Sequence, residues 1–490
     1  LDWDRHLRHV YNIYDMCLAY ILSDGALDDD DLRIAESGNG IPDILDEARN
    51  EVDFWLNLRY NGGYSHGLTN PDGNNALYQA GNTAIAAWAN ALNSSMLAYC
   101  FEIAGLPDLN STYLDSAVVA YNYASNLADP MLNTLEGDVR GVDFKMMAAA
   151  YLYNLTGDTQ YEDVVKQESK VTGPNSSVFV QNSYCQLWGV AAYLLTKRDV
   201  HYPDLQNNMR AAIIAKAYSK ETNFVKQRPS RRGYAGEEAW WQTAQPMHRT
   251  IIAHAVTDSP SDKSKFLDAL VMEADWGLGR NPLNMIQMTT ATTELADKRS
   301  VENCYTSGRD DGAPGLHPGH TPYLNVEPWG GEMVGSRPDK VLQKFYPDIN
   351  QWPHASKYIN TRFIWAHSEF TPRQTMRGKM LLYAYLYSLS QPTSDVKSAA
   401  PVVKEYELAQ NYPNPFNPVT HINFTLSKKS DVELNVYNIL GEEVAALVNE
   451  SKNAGSHKVT FDGSHLSSGV YVCLLKADEF STSRKMMLVK

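Results

Sequence analysis

The sequence is short of cysteine, of basic clusters and of long apolar runs, and each shortage removes a class of function. Five cysteines, Cys17, Cys100, Cys185, Cys304 and Cys473, are scattered over 490 residues with no CxxC pair. That spacing excludes a zinc ribbon and a thioredoxin-type redox centre, and it does not define a disulfide framework. No Lys/Arg-rich block occurs, and 43 basic residues stand against 57 acidic ones, for a net charge of −14. Such a balance makes nucleic acid and anionic membrane surfaces poor partners. No run reaches the roughly 18 apolar residues that a membrane-spanning helix needs. The chain starts at Leu1 with neither Met nor a signal-like segment, so a mature protein or a fragment is expected. No fixed repeat of solenoid length is visible, and no twelve-residue calcium loop is present.

What the chain has is aromatic side chains and helical rhythm. It carries 29 Tyr, 13 Phe and 10 Trp. Flat rings stack on sugar rings, although a large helical core uses them equally well. The segment IPDILDEARNEVDFWLNLRY (residues 41–60) is the clearest helix, with Pro42 and Asp43 at its start and Ile44, Leu45, Ala48, Val52, Trp55 and Leu56 on one stripe. Similar runs occur at 4–22, 82–105, 112–128, 143–155, 159–169, 178–196, 203–219, 237–256 and 262–279, with a last one after Glu369. Helices in series, joined by short turns, stack as antiparallel hairpins. About a dozen of them predict a closed double ring, an (α/α)6 toroidal barrel, over residues 1–390, with an open α-solenoid as the alternative.

Two stretches break this rhythm. Residues 281–360 are long and rich in Gly and Pro, and loops of that length within a domain usually serve function. Residues 391–403, QPTSDVKSAAPVV, read as a linker. Beyond it, over 404–490, the period changes from 3.6 to 2. His421–Leu426, Val432–Tyr437, His457–Phe461 and Val470–Lys476 are expected strands of a small antiparallel β-sandwich.

Four groups of residues carry chemistry. LDWDRH at the start places Asp2 and Asp4 beside Trp3, suited either to orienting a water or to capping a first helix. Glu369 lies among Trp365 and Phe370, just before Thr371 and Pro372 open the last helix. Partial burial among those rings would keep such a carboxyl protonated, as a general acid requires. Closing a helical ring makes its first and last helices neighbours, which would bring Asp2 towards Glu369. An inverting glycosidase needs such a pair about 6.5–9.5 Å apart. The loop around GLHPGHTPYLN offers His317, His320 and Tyr323, with Arg309 upstream, as hydrogen-bonding partners for sugar hydroxyls. The two histidines have no third ligand at recognisable spacing, so no metal site is expected. GEEAWWQTAQPMHRT offers Trp240, Trp241 and His248 for sugar subsites, or for core packing.

These residues resemble glycoside hydrolase family 9, the inverting cellulases. DWDRH is similar to the tail of that family's D-A-G-D-[WY] motif, with Asp2 at the second Asp. IPDILDEARNEVDFW resembles its I-P-D-[IL]-L-D-E helix, LGRNPLNM (278–285) its G-x-N-P segment, and SEFTPRQT (368–375) its N-E-[VF] segment. The resemblance covers about residues 1–390. It implies an (α/α)6 barrel that hydrolyses β-1,4-glucan with inversion, Asp2 as general base and Glu369 as general acid. It requires no cofactor and is compatible with structural calcium. The first Asp of D-A-G-D would precede Leu1, so an N-terminally truncated domain is expected. HPGH stands where the family has P-H-H-R, which keeps open a related exo-acting glycosidase or amino-sugar hydrolase, or a non-catalytic glycan-binding protein. The tail, from LAQNYPNPFNPVTHINFTL to the basic end, resembles the C-terminal sorting domain of the type IX secretion system. That implies the type IX machinery as partner and a bacterial protein secreted or attached to the cell surface.

Overall fold

The computed structural model describes residues 10–29, 32, 34–69, 78–127, 132–133, 135–136, 138–223, 247–281, 284–289, 299–300, 319, 346, 351, 378–391, 406–408, 411, 414, 416–426, 428–438, 441–452, 455–478 and 480–489. The chain divides into two compact units, Leu1–Gln391 and Pro392–Lys490.

The first unit is built from helices of two kinds in alternation. Helix α1 (Tyr11–Ser23) is buried on nearly every side, from Tyr11 and Ile13 to Leu18 and Ala19. Helix α2 (Asp43–Asn57) is amphipathic and buries the stripe Ile44, Leu45, Ala48, Val52 and Trp55. The carboxylate of Asp43, in its first turn, accepts from the Leu32 amide at 2.7 Å and the Ser37 hydroxyl at 2.9 Å, tying down the preceding loop. Two antiparallel hairpins follow, β1 (Arg59–Tyr60) with β2 (Gly63–Tyr64), then β3 (Leu68–Thr69) with β4 (Tyr78–Gln79). Helix α3 (Ala84–Ala104) starts where the Thr83 hydroxyl accepts from the Ala86 amide, and it stops at Gly105, whose φ of 72° suits glycine. Helix α4 (Pro107–Ser125) opens on proline.

Hairpin β5 (Leu135–Glu136) and β6 (Val139–Arg140) runs directly into α5 (Gly141–Thr156), and α6 (Thr159–Glu168) follows, capped by Asp158. Hairpin β7 (Phe179–Val180) and β8 (Tyr184–Cys185) runs into α7 (Leu187–Leu194). Helix α8 (Pro203–Ala217) continues into one π turn, Tyr218–Thr222. Then come α9 (His248–Val256), α10 (Pro260–Gly277), the parallel pair β9 (Met285–Ile286) and β10 (Arg299–Ser300), and α11 (Lys379–Ser390).

The odd-numbered helices are the inner ones. Their faces are largely small or apolar, as in Ala86, Ala87 and Ala89 of α3 and Ala148, Ala149 and Ala150 of α5, so neighbouring backbones approach closely. Each packs on the next, α1 on α3, α3 on α5, α5 on α7, α7 on α9 and α9 on α11, and α11 returns to α1. The even-numbered helices lie against them as a second layer, α4 on α3, α6 on α5, α8 and α10 on α9. This is an α/α barrel arrangement.

The sequence reading differs at two of these helices. The run at 178–196 becomes hairpin β7–β8 followed by a helix that begins only at Leu187. Phe179, Val180 and Tyr184 favour extended pairing, and Asn182 in the turn adopts φ 54°. The run at 112–128 is helical already from Pro107, because proline suits a first turn. Residues 237–246, and the Thr371–Pro372 start expected for the last helix, lie outside the described residues.

The second unit has two antiparallel sheets. One holds β11 (Glu407–Leu408), β12 (Val419–Leu426) and β15 (Gly455–Asp462); the other holds β14 (Glu443–Lys452), β13 (Ser430–Tyr437), β16 (Gly469–Ala477) and β17 (Phe480–Leu488), in that order. Ile422, Phe424 and Phe461 of the first sheet and Leu434, Cys473 and Leu475 of the second belong to one buried cluster. Strands β14 and β17 are not among those expected from the sequence. Register shifts against β13 break the alternation of β14, and β17 is polar along its first half as an edge strand can be.

Candidate active site

The first turns of the inner helices come together at one end of the barrel. Tyr11 and Asp15 of α1, Trp188 at the start of α7 and His248 at the start of α9 line a pocket there, with Asp138 and Glu221. The pocket measures about 40 Å³ and by itself has room for water rather than a sugar ring.

Asp15 is its centre, 3% exposed on a largely apolar helix. Its Oδ1 accepts from His248 Nε2 at 2.7 Å and from the indole Nε1–H of Trp188 at 3.3 Å. Its Oδ2 accepts from the backbone amide of Gly378 at 3.0 Å. A carboxylate only accepts, so Nε2 of His248 carries the proton in this pair. One buried carboxylate thus joins α1, α7, α9 and the residue before α11. Trp188 stacks on Tyr11 at 5.4 Å and meets the His248 ring edge-on at 5.7 Å, which fixes both rings.

Two more buried carboxylates flank this centre. Glu221, in the π turn, accepts from the Thr250 amide at 2.8 Å, the Thr250 hydroxyl at 2.6 Å and Arg249 Nη1 at 3.1 Å. It therefore satisfies the positive N-terminal end of α9. Asp138 accepts from the Asn182 amide at 2.7 Å and so connects hairpins β5–β6 and β7–β8.

Lys379, the first residue of α11, is buried and donates from Nζ to the Gly319 carbonyl at 2.7 Å. Burial pulls its pKa down to about 7. Gly319, at φ 83°, is the glycine of the HPGH turn, and its amide bonds the Thr289 carbonyl at 2.7 Å. Gly319 is thereby anchored beside the start of α11, one residue from the Gly378–Asp15 bond. Asn281 of the GRNP segment is a structural clamp, donating to the Trp276 and Met285 carbonyls at 2.8 and 2.7 Å.

Of the site residues read from the sequence, His248 is described and lines this pocket as a buried partner of Asp15. Asp2, Glu369, His317, His320, Arg309, Tyr323, Trp240 and Trp241 lie outside the described residues. Asp15, Asp138, Glu221 and Lys379 were missed. The available signal was a lone ionisable residue in an apolar helix, as in YNIYDMCLAY and KMLLYAYL. Among the described residues, no group of three His, Cys, Asp or Glu side chains could hold a metal ion, and no helix is long and apolar enough to cross a membrane.

Comparison with known proteins agrees with the barrel fold. The family model for glycosyl hydrolase family 9 matches residues 6–372, and that for the secretion system C-terminal sorting domain matches 410–490. Endoglucanase D of Acetivibrio thermocellus is 22% identical over 330 residues, covering 62% of this chain and 49% of that protein. The chain thus spans about half the length of the curated relative it matches. A solved family 9 protein of Bacteroides ovatus superposes with a TM-score of 0.58 at 19% identity, over 79% of this chain and 70% of that one. A metagenome-derived family 9 endoglucanase gives a TM-score of 0.58 at 18% identity, over 79% and 69%. The sorting domain marks a bacterial protein that is secreted or attached to the cell surface. With three quarters of its length matched and the barrel of its solved neighbours, this chain belongs to glycosyl hydrolase family 9.

Proposed function

We propose that the protein is an endoglucanase-like glycosidase that hydrolyses β-1,4-linked glucan with inversion, delivered by the type IX secretion machinery through its C-terminal domain. In this reading residues 1–390 form an (α/α)6 toroid, 391–403 a linker and 404–490 a β-sandwich. Glu369 protonates the leaving glycosidic oxygen and Asp2 draws the proton from the attacking water, so the anomeric centre inverts. His317, His320, Arg309, Tyr323, Trp240 and Trp241 hold sugar rings and hydroxyls, and His248 supports the floor through Asp15.

The observation that carries the reading is the Asp15 clasp. It holds the helix that follows Asp2 directly against Gly378, nine residues after Glu369. Asp15 and Gly378, 13 residues after Asp2 and nine after Glu369 in sequence, are thus hydrogen-bonded to each other, and the neighbouring Lys379 holds the Gly319 carbonyl. The reading needs no cofactor, and no catalytic step in it is routed through calcium.

The test is Glu369→Gln in the purified protein, assayed on carboxymethyl cellulose and on defined cello- and chito-oligosaccharides, with the anomer released followed by NMR. A loss of about a thousandfold in kcat is expected, with substrate binding retained. Undiminished turnover by the variant would remove Glu369 as the acid, and a retained anomeric configuration would remove inversion. Cleavage of chito-oligosaccharides alone would move the assignment to an amino-sugar hydrolase. Binding without products from the unmodified protein would leave a glycan-binding protein.

A further inference from the structure

The opposite end of the barrel holds a second, larger cavity that the catalytic reading does not use. It measures about 440 Å³, within the range of small-molecule sites. The same helices build both ends. His248 lines the pocket described above and His254 lines this one, six residues or about 9 Å further along α9. The apolar part of the wall comes from the last turns of α1, α3 and α11 with the end of α7: Ile21, Leu22, Ile103, Leu195 and Leu389. Tyr99 and Tyr385 add aromatic rings.

The polar groups are His254 and the Tyr99 and Tyr385 hydroxyls on buried residues, with Asp24, Lys197 and Lys263 on exposed ones. His254 is 9% exposed, and its Nδ1 is hydrogen-bonded to the Tyr385 hydroxyl at 2.7 Å. Among the described residues its other ring nitrogen, Nε2, has no partner, and neither does the hydroxyl of Tyr99. Burial, helped by the Lys263 charge, lowers the His254 pKa, so the imidazole is neutral at pH 7 and can donate or accept. Lys263 and Lys197 stand at the rim, and neither makes an ion pair among the described residues. Asp24 is the one acidic residue among the described lining. The helix C-termini at this end carry partial negative charge, which opposes an anion held deep inside. An anionic group is therefore favoured at the lysine rim, with an apolar body inward.

We propose that this cavity is a binding site for a small aromatic carboxylate, of benzoate to cinnamate size, held by Lys197 and Lys263 at the rim and by His254 and the tyrosine hydroxyls within. Apolar walls favour a hydrocarbon body over a polyhydroxylated one, and two free ammonium groups against one carboxylate favour an anion over a cation.

The test is calorimetric titration of the purified full chain with trans-cinnamate, and with cinnamamide as the neutral analogue of equal shape. Cinnamate is expected to bind one-to-one with a Kd on the order of 0.1–1 mM, and cinnamamide at least tenfold more weakly. Lys197→Met combined with Lys263→Met changes two exposed side chains, is expected to fold normally, and should weaken cinnamate at least tenfold. Ala255→Phe, which fills the cavity, should abolish binding while leaving the melting temperature within a few degrees. No heat with millimolar cinnamate, equal affinity for the amide, or unchanged binding in the double lysine variant would each overturn the proposal.

Discussion

Asp15 shows how a single ionisable residue organises the site. An Asp in an apolar helix carries a desolvation cost that only good partners offset. Here an imidazole, an indole and a backbone amide supply them. Removing the carboxylate strands all three donors, so Asp15→Ala is expected to cost about 3–5 kcal/mol by chemical denaturation. A change under 0.5 kcal/mol would show that the clasp contributes little. Glu51 is the contrary case, a carboxyl on α2 with little compensation. Burial pushes its pKa up to about 7, against a Trp55 indole contact of 3.5 Å that lowers it only weakly. The folded state therefore holds this proton more tightly than the unfolded chain does. Its contribution is fully present below the unfolded pKa and is lost as pH rises through about 7. Glu51→Gln, which is neutral throughout, should stabilise the protein by about 1–3 kcal/mol at pH 8 and by little at pH 4.5. Equal melting shifts at both pH values would contradict this.

At the scale of elements, the inner helices pack through small residues, and this makes glycine and alanine restrictive positions. Gly189 of α7 faces α5. A Cβ there would lie 2.7 Å from Met147 Cγ and 2.9 Å from Met147 Cα, and 3.1 Å from Met146 Sδ. Glycine to alanine within a helix normally stabilises by about 1 kcal/mol. The clash with backbone reverses the sign, so Gly189→Ala is expected to lower stability by about 1–3 kcal/mol in denaturant melts. A stabilised variant would mean that α5 and α7 can move apart freely. The short hairpins matter at the same scale. Hairpins β5–β6 and β7–β8 feed straight into α5 and α7, and they bring Asp138 and Phe179 to the pocket. They were hard to see in the sequence because two-residue strands leave no alternation to count.

At the scale of the molecule, the two units differ in the period of their patterns and in their cores. The helical unit buries one large cluster of inner-helix side chains, and the tail buries its own around Phe416, Phe424 and Leu475. The 3.6-residue rhythm and its change to 2 near residue 404 were legible, because each reports which face of a local element is wet. Long helices such as α2, α3 and α5 were found within a few residues for that reason. Strand β14 was not, because its pairing with β13 is bulged and its buried side is set by a partner rather than by its own alternation.

The amino-acid sequence by itself determined the class of the fold, the order of the helices, the change of domain and the family motifs that name the candidate acid and base. Local periodicity and short motifs suffice for these, since each is written within one or two turns of chain. Only the tertiary structure decided which residues meet. The inner helices return from α11 to α1, and Asp15 thereby reaches Trp188, His248 and Gly378 across as many as 363 positions of sequence. No local pattern encodes such a contact. A buried carboxylate takes its meaning from the donors that ring closure brings to it, and those donors lie on helices that are neighbours in space alone.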